Sequence, residues 1–468
     1  MTIALTRDEL IRIVDGRTGP ATERLTCSGV AFDSRDVRGG ELFVALPGEK
    51  AHGHSFVPQA LERGAALCLV EDPALPAASE HPERFVVVPD TLGAFSKLAA
   101  WWRETLKLPV LAITGSVGKT TTKEIAAAAL LKVRPGVFSL KSHNNHVGVP
   151  YTICRMGRTH EWAVLEMGMN HAGELTRLSG IARPDVAVIT CIAPAHIEFF
   201  GTLDRIADAK LEISAGLRPG GTLILNGDDE VLMRAVERLT QRPAIRLFGT
   251  GARCDLRLGE VTAHGLEGIS FPLTFGGVTE EVRMNVLGRH NAMNAAAAAL
   301  GMLSLLPGLT LAEVGAGLRE FQAPLMRLNV KPLRGERKVI DDSYNANPES
   351  MKAALAIARD LAASGLKVGL ILGDMLELGE HSESFHREVG SAAVAAAPVF
   401  LVGVGEWSRA CVEAARAAGI PAFAAATAEE SAHIARKHSF DIVLVKASRG
   451  IGLDRAVSTL IACEGEVR

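Results

Sequence analysis

The sequence lacks the features expected of a membrane, secreted or nucleic-acid-binding protein. No uninterrupted apolar run reaches the length needed to span a bilayer, and residues 1–9 lack the basic-then-apolar pattern of a signal peptide. The 50 basic and 53 acidic side chains give a formal charge of −3, so no positive excess favours nucleic acid or an anionic membrane surface. We therefore expect a cytoplasmic protein that neither inserts into a membrane nor binds nucleic acid.

Paired cysteines are also lacking. The seven cysteines are scattered without a C-x-x-C pair, and several lie inside apolar runs. This distribution favours buried, reduced thiols over disulfides or a zinc site. Hydrophobic residues, by contrast, make up 48% of the 468 positions, which is enough to fill the cores of two or three domains.

The clearest functional signal is a glycine-containing loop between a predicted strand, residues 108–113, and a predicted helix, residues 123–132. The loop reads Gly115-Ser116-Val117-Gly118-Lys119-Thr120-Thr121. Backbone N–H groups of such a loop, together with the positive end of the helix, bind phosphate oxygens. Lys119 can reach the β- and γ-phosphates and Thr120 can ligate Mg²⁺, although Ile113 stands where the G-x-x-x-x-G-K-[ST] pattern has its first glycine. The loop predicts a nucleoside triphosphate site.

Apolar runs and helical patterns alternate through most of the chain, which predicts an α/β protein. We divide it into a small mixed α/β N-terminal domain over 1–89, a central phosphate-loop domain with a parallel sheet over 90–323, and a C-terminal Rossmann-like α/β domain over 324–468. Residues 30–37 are predicted as a strand, and the proline-rich residues 72–89 as the exit from the first domain. We expect an antiparallel insert over 255–287.

Three side chains of the central domain are candidates for metal binding or acid–base chemistry. Glu166 ends a predicted strand, and a carboxylate at the carboxyl end of a parallel strand faces the ligand crevice, where it suits Mg²⁺. His196 follows the next strand, and on its own it is more typical of a packed loop histidine than of a metal ligand. Lys210 lies between Asp208 and Glu212 on an amphipathic helix, which predicts a solvated surface lysine.

Several asparagines leave two interpretations open. Asn144 and Asn145 precede a glycine and a proline in a fixed loop, where their amides either contact a substrate or cap turns. Asn291 and Asn294 open an alanine-rich helix, and they suit either the edge of a purine or the ordinary start of a helix.

Two further segments follow predicted strands. Ser34 and Arg35 can bind a phosphate-bearing ligand, but a turn with a surface arginine explains them equally well. Residues 341–348 carry a dense set of hydrogen-bonding side chains at a strand's carboxyl end, which favours binding over a structural loop. Arg327 lies just before this segment, at the second domain boundary.

Together these motifs resemble the ATP-dependent Mur ligase family of peptidoglycan precursor synthesis, over essentially the whole chain. The short phosphate loop of that family accommodates Ile113. One departure is Ala447, where the family pattern predicts glycine. The segments that carry the resemblance are Asp33-Ser34-Arg35, Thr114 to Thr121, Glu166-Met-Gly-Met-Asn-His171, His290-Asn291-Ala-Met-Asn294, Asp341-Asp-Ser-Tyr-Asn-Ala-Asn-Pro348, Gly373-Asp-Met-Leu-Glu-Leu-Gly379 and Lys446-Ala-Ser-Arg449-Gly.

The resemblance implies roles for the residues that match these motifs. The phosphate loop (Gly115, Ser116, Val117, Gly118, Lys119, Thr120 and Thr121) would hold the phosphates of ATP. Asn291 and Asn294 would face the adenine, Arg327 the γ-phosphate and Asp342 the ribose. Thr120 and Glu166 would hold one Mg²⁺ and His196 would join a second Mg²⁺ site. Lys210 falls where the family carries a carbamoylated lysine, whose added carboxylate would be a metal ligand.

The resemblance also implies the substrates. Ser34 and Arg35 would meet the uridine nucleotide of UDP-N-acetylmuramoyl-tripeptide. The space where this substrate meets D-alanyl-D-alanine would be lined by Asn144, Asn145, Tyr344, Asn345 and Asn347. The residues expected to act in catalysis are Lys119, His196, Lys210 and Arg327.

The reaction that the resemblance implies joins the two peptides through an acyl phosphate. The γ-phosphoryl group of ATP passes to the tripeptide carboxylate, and the dipeptide amine then attacks, with two Mg²⁺ ions, Lys119 and Arg327 stabilising the transferred group. We expect a monomer. The alternatives are another amino-acid or glutamate ligase of the same superfamily, an ATPase that couples hydrolysis to movement or signalling, and a non-catalytic nucleotide-binding protein.

Overall fold

The computed structural model of the protein describes residues 3–19, 24–48, 51–195 and 197–462. Within these ranges, no helix has both the length and the apolarity needed to cross a membrane. The described residues form three successive β-sheets with flanking helices, together with a short N-terminal ribbon. This is the α/β architecture expected from the alternation of apolar and helical patterns.

The N-terminal unit contains a four-stranded parallel sheet in the order β3-β4-β5-β6 and an antiparallel β1–β2 ribbon, among the residues described. Strand β5 is an apolar run that is buried along its whole length, as parallel strands covered on both faces are. The elements are β1 (Ala4–Thr6), α1 (Arg7–Val14), β2 (Thr26–Ser28), β3 (Val30–Ala31), β4 (Leu42–Val44), α2 (Val57–Glu62), β5 (Leu67–Val70), α3 (Pro76–Glu80) and β6 (Phe85–Val87).

Two expectations for this unit are wrong. The strand predicted over 30–37 ends at Ala31, because the side chain of Asp33 accepts the N–H of Arg35 at 2.9 Å and turns the chain into a short 3₁₀ helix. The proline-rich residues 72–89 do not lead out of the unit. They contain α3 and β6, and β6 completes the sheet beside β5.

The central unit is built on a sheet in which ten strands pair among the described residues, with β7 between β10 and β9. The elements are α4 (Thr91–Leu106), β7 (Val110–Thr114), α5 (Lys119–Val133), β8 (Gly136–Phe138), α6 (Gly148–Cys154), β9 (Trp162–Glu166), α7 (Glu174–Ala182), β10 (Val186–Ile189), α8 (Ile197–Phe200), α9 (Leu203–Leu211), β11 (Thr222–Asn226), α10 (Glu230–Val236), β12 (Ala244–Gly249), β13 (Leu256–Leu258), β14 (Thr262–Ala263), β15 (Ile269–Phe275), β16 (Val278–Met284), α11 (His290–Leu305) and α12 (Leu311–Arg319).

The parallel part of this sheet runs through β8, β9, β7, β10, β11, β12 and β13. Strands β14, β15 and β16 are antiparallel, as predicted for the insert, but β13 pairs with β15 and joins them to the same sheet. Helix α11 packs on this sheet and on α5. Its alanines are almost all buried, since small side chains let a helix lie close to its neighbours.

The C-terminal unit has a sheet in the order β17-β18-β22-β19-β20-β21, parallel except for the edge strand β17. Ala447 is fully buried against Gly373, so a methyl group at this position belongs to the core. The elements are β17 (Asn329–Pro332), β18 (Lys338–Asp342), α13 (Pro348–Ala363), β19 (Val368–Gly373), α14 (Ser382–Ala395), β20 (Phe400–Val404), α15 (Arg409–Ala417), β21 (Ala422–Ala425), α16 (Ala428–Ala435), β22 (Ile442–Lys446) and α17 (Asp454–Ala462).

Candidate active site

A cleft of about 570 Å³ lies between the central and C-terminal units. The carboxyl ends of β7 and β9 open into it from the central unit, and the loop after β18 lines the opposite wall. Ligands of open α/β sheets bind at the carboxyl ends of the strands. The predicted residues that line the cleft are Ser116 to Thr121, Asn144, Asn145, Glu166, Asn291, Asn294, Arg327, Asp342, Tyr344, Asn345 and Asn347.

The phosphate loop connects β7 to α5 and requires glycine at two positions. Gly115 has a φ of 142°, and a Cβ there would lie 1.9 Å from Oγ1 of Thr190. Gly118 has a φ of 87°, and a Cβ there would lie 2.3 Å from Oδ1 of Asn294. Side chains cannot be accommodated at such distances, so both positions need glycine.

Lys119 begins α5, and its ammonium group lies back over the loop. Its Nζ donates to the carbonyl oxygens of Gly115 at 2.6 Å and of Ser116 at 3.2 Å. Desolvation by the surrounding protein lowers the pKa of Lys119, while Glu166 partly offsets this effect. A cation held in this position can bind the phosphate oxygens of a nucleotide.

Glu166 is the centre of the hydrogen-bond network on the central wall. The carboxylate is 1% exposed, and Oε1 accepts the Thr120 hydroxyl at 3.0 Å and Nδ2 of Asn144 at 2.8 Å. The Thr120 hydroxyl in turn accepts Nη2 of Arg327 at 3.1 Å. The two residues predicted as ligands of one Mg²⁺ are therefore in direct contact.

The oxygen atoms that this network leaves without hydrogen bonds show whether it could hold Mg²⁺. Oε2 of Glu166 is buried and has no hydrogen-bond partner among the described residues. No group of three or more His, Cys, Asp and Glu side chains is arranged to hold a metal within the part of the chain that is described. Mg²⁺ is usually bound by one or two carboxylates, with substrate phosphates and water as its other ligands. One carboxylate and one hydroxyl beside a phosphate loop therefore fit Mg²⁺ that arrives with a nucleotide.

Lys210 is buried, and the expectation of a surface lysine is wrong. The side chain is 1% exposed, and Nζ has no hydrogen-bond partner in the part of the chain that the structure describes. Its acidic neighbours point elsewhere, since residues two apart on a helix lie on different faces. Asp208 pairs with Arg238 at 2.6 Å, and Glu212 accepts the N–H of Gly173, the residue before α7, at 2.7 Å. Burial lowers the pKa of Lys210 well below its ordinary value, which favours the neutral amine.

The first turn of α11 lines the cleft beside Gly118 of the phosphate loop. Nδ2 of Asn294 donates to Oδ1 of Asn291, whose own Nδ2 donates to the carbonyl of Leu287 at 2.7 Å. His290 is exposed and lines both this cleft and a second one beside α13, and desolvation by the surrounding protein lowers its pKa. The two asparagines thus present a fixed pair of amides, as the edge of a purine requires.

Arg327 lies at the boundary between the central and C-terminal units. Its guanidinium carbon is 4.3 Å from the centre of the Tyr344 ring, a cation–π contact. Met326 and Leu328 on either side have φ values of 60° and 56°. Left-handed backbone costs roughly 1–2 kcal/mol at such residues, so the surrounding contacts must hold Arg327 in this position.

Asp342 ends β18 and forms a largely buried ion pair with Lys446. Their side chains meet at 2.7 Å, and Nζ of Lys446 also donates to the carbonyl of Asn345 at 2.9 Å. Burial raises the pKa of Asp342, and Lys446 opposes this effect. The contacts of Lys446 are thus intact beside Ala447, where the family pattern has glycine. Asn347 lines the cleft, but its Oδ1 caps α13 by accepting the N–H of Ser350.

The predicted substrate-binding residues of the first two units differ in what they contact and in whether they line the cleft. Asn144 contacts Glu166, whereas Oδ1 of Asn145 accepts the N–H groups of Val147 and Gly148 and caps a turn. Ser34 and Arg35 do not line the cleft. Ser34 is buried and donates to Gln59 at 2.6 Å, and Arg35 is exposed and pairs with Asp33 at 2.6 Å. His196 lies outside the described residues.

Sequence reasoning overlooked Lys123 and Ser139 and named Lys446 only as part of a family motif; these three residues hold the predicted site residues in place. Lys123 lies 3.8 Å from Oε2 of Glu166, and the hydroxyl of Ser139 accepts the N–H of Glu166 at 3.1 Å. One signal for Lys123 was available. It follows Lys119 by four positions on α5, and residues four apart lie on the same face of a helix.

Comparison with known proteins gives consistent matches along the chain. Three family profiles match: "Mur ligase family, catalytic domain" over residues 26–103, "Mur ligase middle domain" over 113–302 and "Mur ligase, glutamate ligase domain" over 326–449. The UDP-N-acetylmuramoyl-tripeptide–D-alanyl-D-alanine ligase of Escherichia coli (strain K12) is 35% identical over 460 residues, which is 98% of each chain.

Solved structures match over the same extent. A crystal structure of MurF from Acinetobacter baumannii superposes with a TM-score of 0.86 at 30% identity, covering 98% of this chain and 99% of that one. The MurF ligase of Thermotoga maritima in complex with ADP superposes with a TM-score of 0.79 at 26% identity, covering 94% and 98%.

Proposed function

Because the chain belongs to the Mur ligase family, we propose that it is an ATP-dependent ligase that joins D-alanyl-D-alanine to UDP-N-acetylmuramoyl-tripeptide in peptidoglycan precursor synthesis. The observation that carries this proposal is the cleft in which Lys119, Thr120 and Glu166 face Arg327, with Nη2 of Arg327 3.1 Å from the Thr120 hydroxyl. The protein acts in the cytoplasm as a monomer.

Each of the three units binds a different reactant. Residues 1–89 bind the uridine nucleotide through Ser34 and Arg35, residues 90–323 bind ATP, and residues 324–468 bring the dipeptide to the cleft. Because Ser34 and Arg35 are engaged with Gln59 and Asp33, binding of the uridine nucleotide exchanges these contacts for substrate contacts.

ATP occupies the cleft with its phosphates on the loop after β7. The backbone N–H groups of Gly115 to Thr121 and the Lys119 ammonium hold the phosphates, and Arg327 contacts the γ-phosphate. Asn291 and Asn294 face the adenine. Asp342 binds the ribose, and its ion pair with Lys446 orients the carboxylate.

Thr120 and Glu166 would hold Mg²⁺, and His196 would contribute to a second site. When bound, Mg²⁺ would offset the repulsion between the phosphate oxygens and the incoming carboxylate. Lys210 fits carbamoylation, because a buried amine without a partner is driven toward its neutral, nucleophilic form. Its nitrogen adds to the carbon of CO₂ and releases a proton, which converts the unpaired amine into a carboxylate that can ligate a metal.

The chain's residues then serve two successive transfers. Lys119 and Arg327 stabilise charge on the γ-phosphoryl group as it passes from ATP to the peptide carboxylate and ADP leaves. The dipeptide amine attacks the resulting acyl phosphate, an amide bond forms, and inorganic phosphate leaves. Asn144, Asn145, Tyr344, Asn345 and Asn347 line the space in which the two peptides meet.

The test is phosphate release from ATP by the purified protein with UDP-N-acetylmuramoyl-tripeptide, in the presence and absence of D-alanyl-D-alanine. Tripeptides with lysine and with diaminopimelate at the third position are both assayed, and glutamate replaces the dipeptide in a parallel reaction. We expect phosphate release and formation of the pentapeptide product only with the dipeptide. Phosphate release at the same rate with and without the dipeptide would indicate an ATPase. Phosphate release with glutamate would indicate a different ligase.

Lys119→Ala is the matched negative control for this assay. Loss of the loop cation should abolish turnover and leave folding intact, because the hydrogen bonds that Lys119 makes to described residues go to backbone carbonyls of its own loop. A Lys119→Ala protein with wild-type turnover would contradict the assignment of the ATP site.

A further inference from the structure

Lys123 is a fully buried cation that no step of the proposed reaction uses. It lies on α5 with 0% exposure. Its Nζ donates to the carbonyl oxygens of Ser139 at 2.8 Å and Lys141 at 3.2 Å, and it lies 2.6 Å from Oε1 of Glu124. A charge is retained in a protein interior only where it is paired and hydrogen-bonded, and Lys123 meets both conditions.

The same ammonium group faces the free oxygen of the metal-binding carboxylate. Nζ of Lys123 is 3.8 Å from Oε2 of Glu166, the oxygen that lacks a hydrogen-bond partner. The other oxygen, Oε1, already accepts the Thr120 hydroxyl and the Asn144 amide. Lys123 therefore contributes positive charge beside Glu166 without occupying a lone pair that a metal ion would use.

Lys123 also fixes the segment that leads to Asn144. The two carbonyls that it binds belong to residues 139 and 141, which precede Asn144 in the same loop. Ser139 contacts both partners, because its carbonyl accepts Lys123 and its hydroxyl accepts the N–H of Glu166 at 3.1 Å. Lys123 thus acts on the Glu166 carboxylate in two ways, directly through its charge and indirectly through Ser139.

We propose that Lys123 is a positioning residue that orients Glu166 for metal binding and ties the Asn144 loop to the helix of the phosphate loop. The inference rests on the proposed role of Glu166 in holding Mg²⁺. Groups that orient a metal ligand change metal affinity or activity by about 10- to 100-fold when they are removed. A purely structural lysine would change the stability of the protein and leave the metal affinity of the folded fraction unaltered.

The test is Lys123→Gln, because glutamine can still donate to one of the two carbonyls but carries no charge. Mn²⁺ binding to the full-length protein is measured by electron paramagnetic resonance with a non-hydrolysable ATP analogue. We expect the Mn²⁺ dissociation constant to rise about 10-fold or more, and binding of the analogue in EDTA to be unchanged. Lys132→Gln is the matched control, since Lys132 lies on the same helix and pairs with Glu320 at the surface.

Thermal melting accompanies each titration, because loss of a buried charge can prevent folding. Lys123→Arg is the second variant. It keeps the charge but displaces it, and it should also weaken Mn²⁺ binding with the analogue bound as before. A folded Lys123→Gln or Lys123→Arg protein with wild-type Mn²⁺ affinity would overturn the inference. A wild-type protein that binds the analogue but no Mn²⁺ would overturn the metal assignment of Glu166, and this inference with it.

Discussion

Lys123 and Lys210 are both buried amines of the central unit, and their surroundings are opposite. Lys123 has two carbonyls and a carboxylate within hydrogen-bonding distance, whereas Nζ of Lys210 has no hydrogen-bond partner within residues 3–19, 24–48, 51–195 and 197–462. An unpaired charge in a protein interior costs several kcal/mol. Lys123 therefore has the partners that a buried cation requires, while burial lowers the pKa of Lys210 and favours its neutral form. The comparison separates a cation that orients other groups from an amine that is available for modification.

The largest expected effect is the loss of stability when Lys123 is replaced. Lys123→Met should destabilise the protein by about 3–5 kcal/mol, because it leaves the buried Glu166 carboxylate without its cation and two carbonyls without their donor. Lys210→Met should not destabilise it, since methionine replaces an amine that makes no hydrogen bond. Guanidinium unfolding followed by tryptophan fluorescence measures both variants.

The tryptophans report on the right region, because three of the four, Trp101, Trp102 and Trp162, lie in α4 and β9 of the central unit. Equal destabilisation by the two methionine variants would contradict the distinction between the paired and the unpaired amine.

The next effect is on activity and concerns Lys210. Lys210→Met should lower the ligase rate by about 10²–10³-fold, as removal of one charged group that stabilises a transition state does. Binding of ADP should be unaffected, because Lys119 and the backbone of the phosphate loop remain in place. Steady-state assays with both peptide substrates, and a titration with fluorescent ADP, measure the two quantities.

A carbon-13 spectrum supplies the chemical evidence for that variant. Wild-type protein in ¹³C-bicarbonate should show a carbamate signal that is absent from Lys210→Met and present in Lys132→Met. A full ligase rate in Lys210→Met, or a carbamate signal that persists in it, would exclude the proposed modification of this residue.

His290 is a third basic side chain of the central unit, and desolvation lowers its pKa as well. The ring of His290 is exposed at two clefts, and desolvation there lowers its folded-state pKa below the value of about 6.5 for an unfolded chain. Above pH 6.5 both states are neutral at this residue and its full contribution to stability is present. Below about pH 6.5 the unfolded state binds a proton more readily than the folded state does, so stability is lost as the pH falls.

His290→Asn should therefore lose less thermal stability than the wild type when the pH is lowered from 7.5 to 5. Melting temperatures of the two proteins at both pH values give the measurement. A parallel fall in both proteins would show that His290 carries no part of the acid sensitivity.

The two lysines also show how far sequence reasoning reaches. The phosphate loop, Glu166 at the end of β9 and the asparagines of α11 follow from local order, because each depends on a strand, a turn and a helix that are adjacent in sequence. The burial of Lys210 does not, since its acidic neighbours along the chain predict a solvated face. Only the packing of α9 places that amine in the interior.

A similar limit applies to the asparagines and to the first unit. Asn144 and Asn145 are indistinguishable in sequence, yet one contacts a carboxylate and the other caps a turn. The choice depends on Glu166, which is distant along the chain. Likewise, the side-chain turn at Asp33 interrupts residues whose apolar pattern predicts a strand, because local hydrogen bonds compete with strand pairing.

The smallest expected effect is that of Lys132→Met, and it sharpens the contrast with Lys123 on the same helix. Lys132 and its partner Glu320 have side chains that are 59% and 60% exposed and meet at 2.5 Å. Exposed ion pairs contribute about 0–1 kcal/mol, because water screens the attraction and both side chains lose conformational freedom. Lys132→Met should therefore unfold at nearly the wild-type guanidinium concentration. A loss comparable to that of Lys123→Met would mean that any lysine on α5 supports the fold, and that burial is not what distinguishes Lys123.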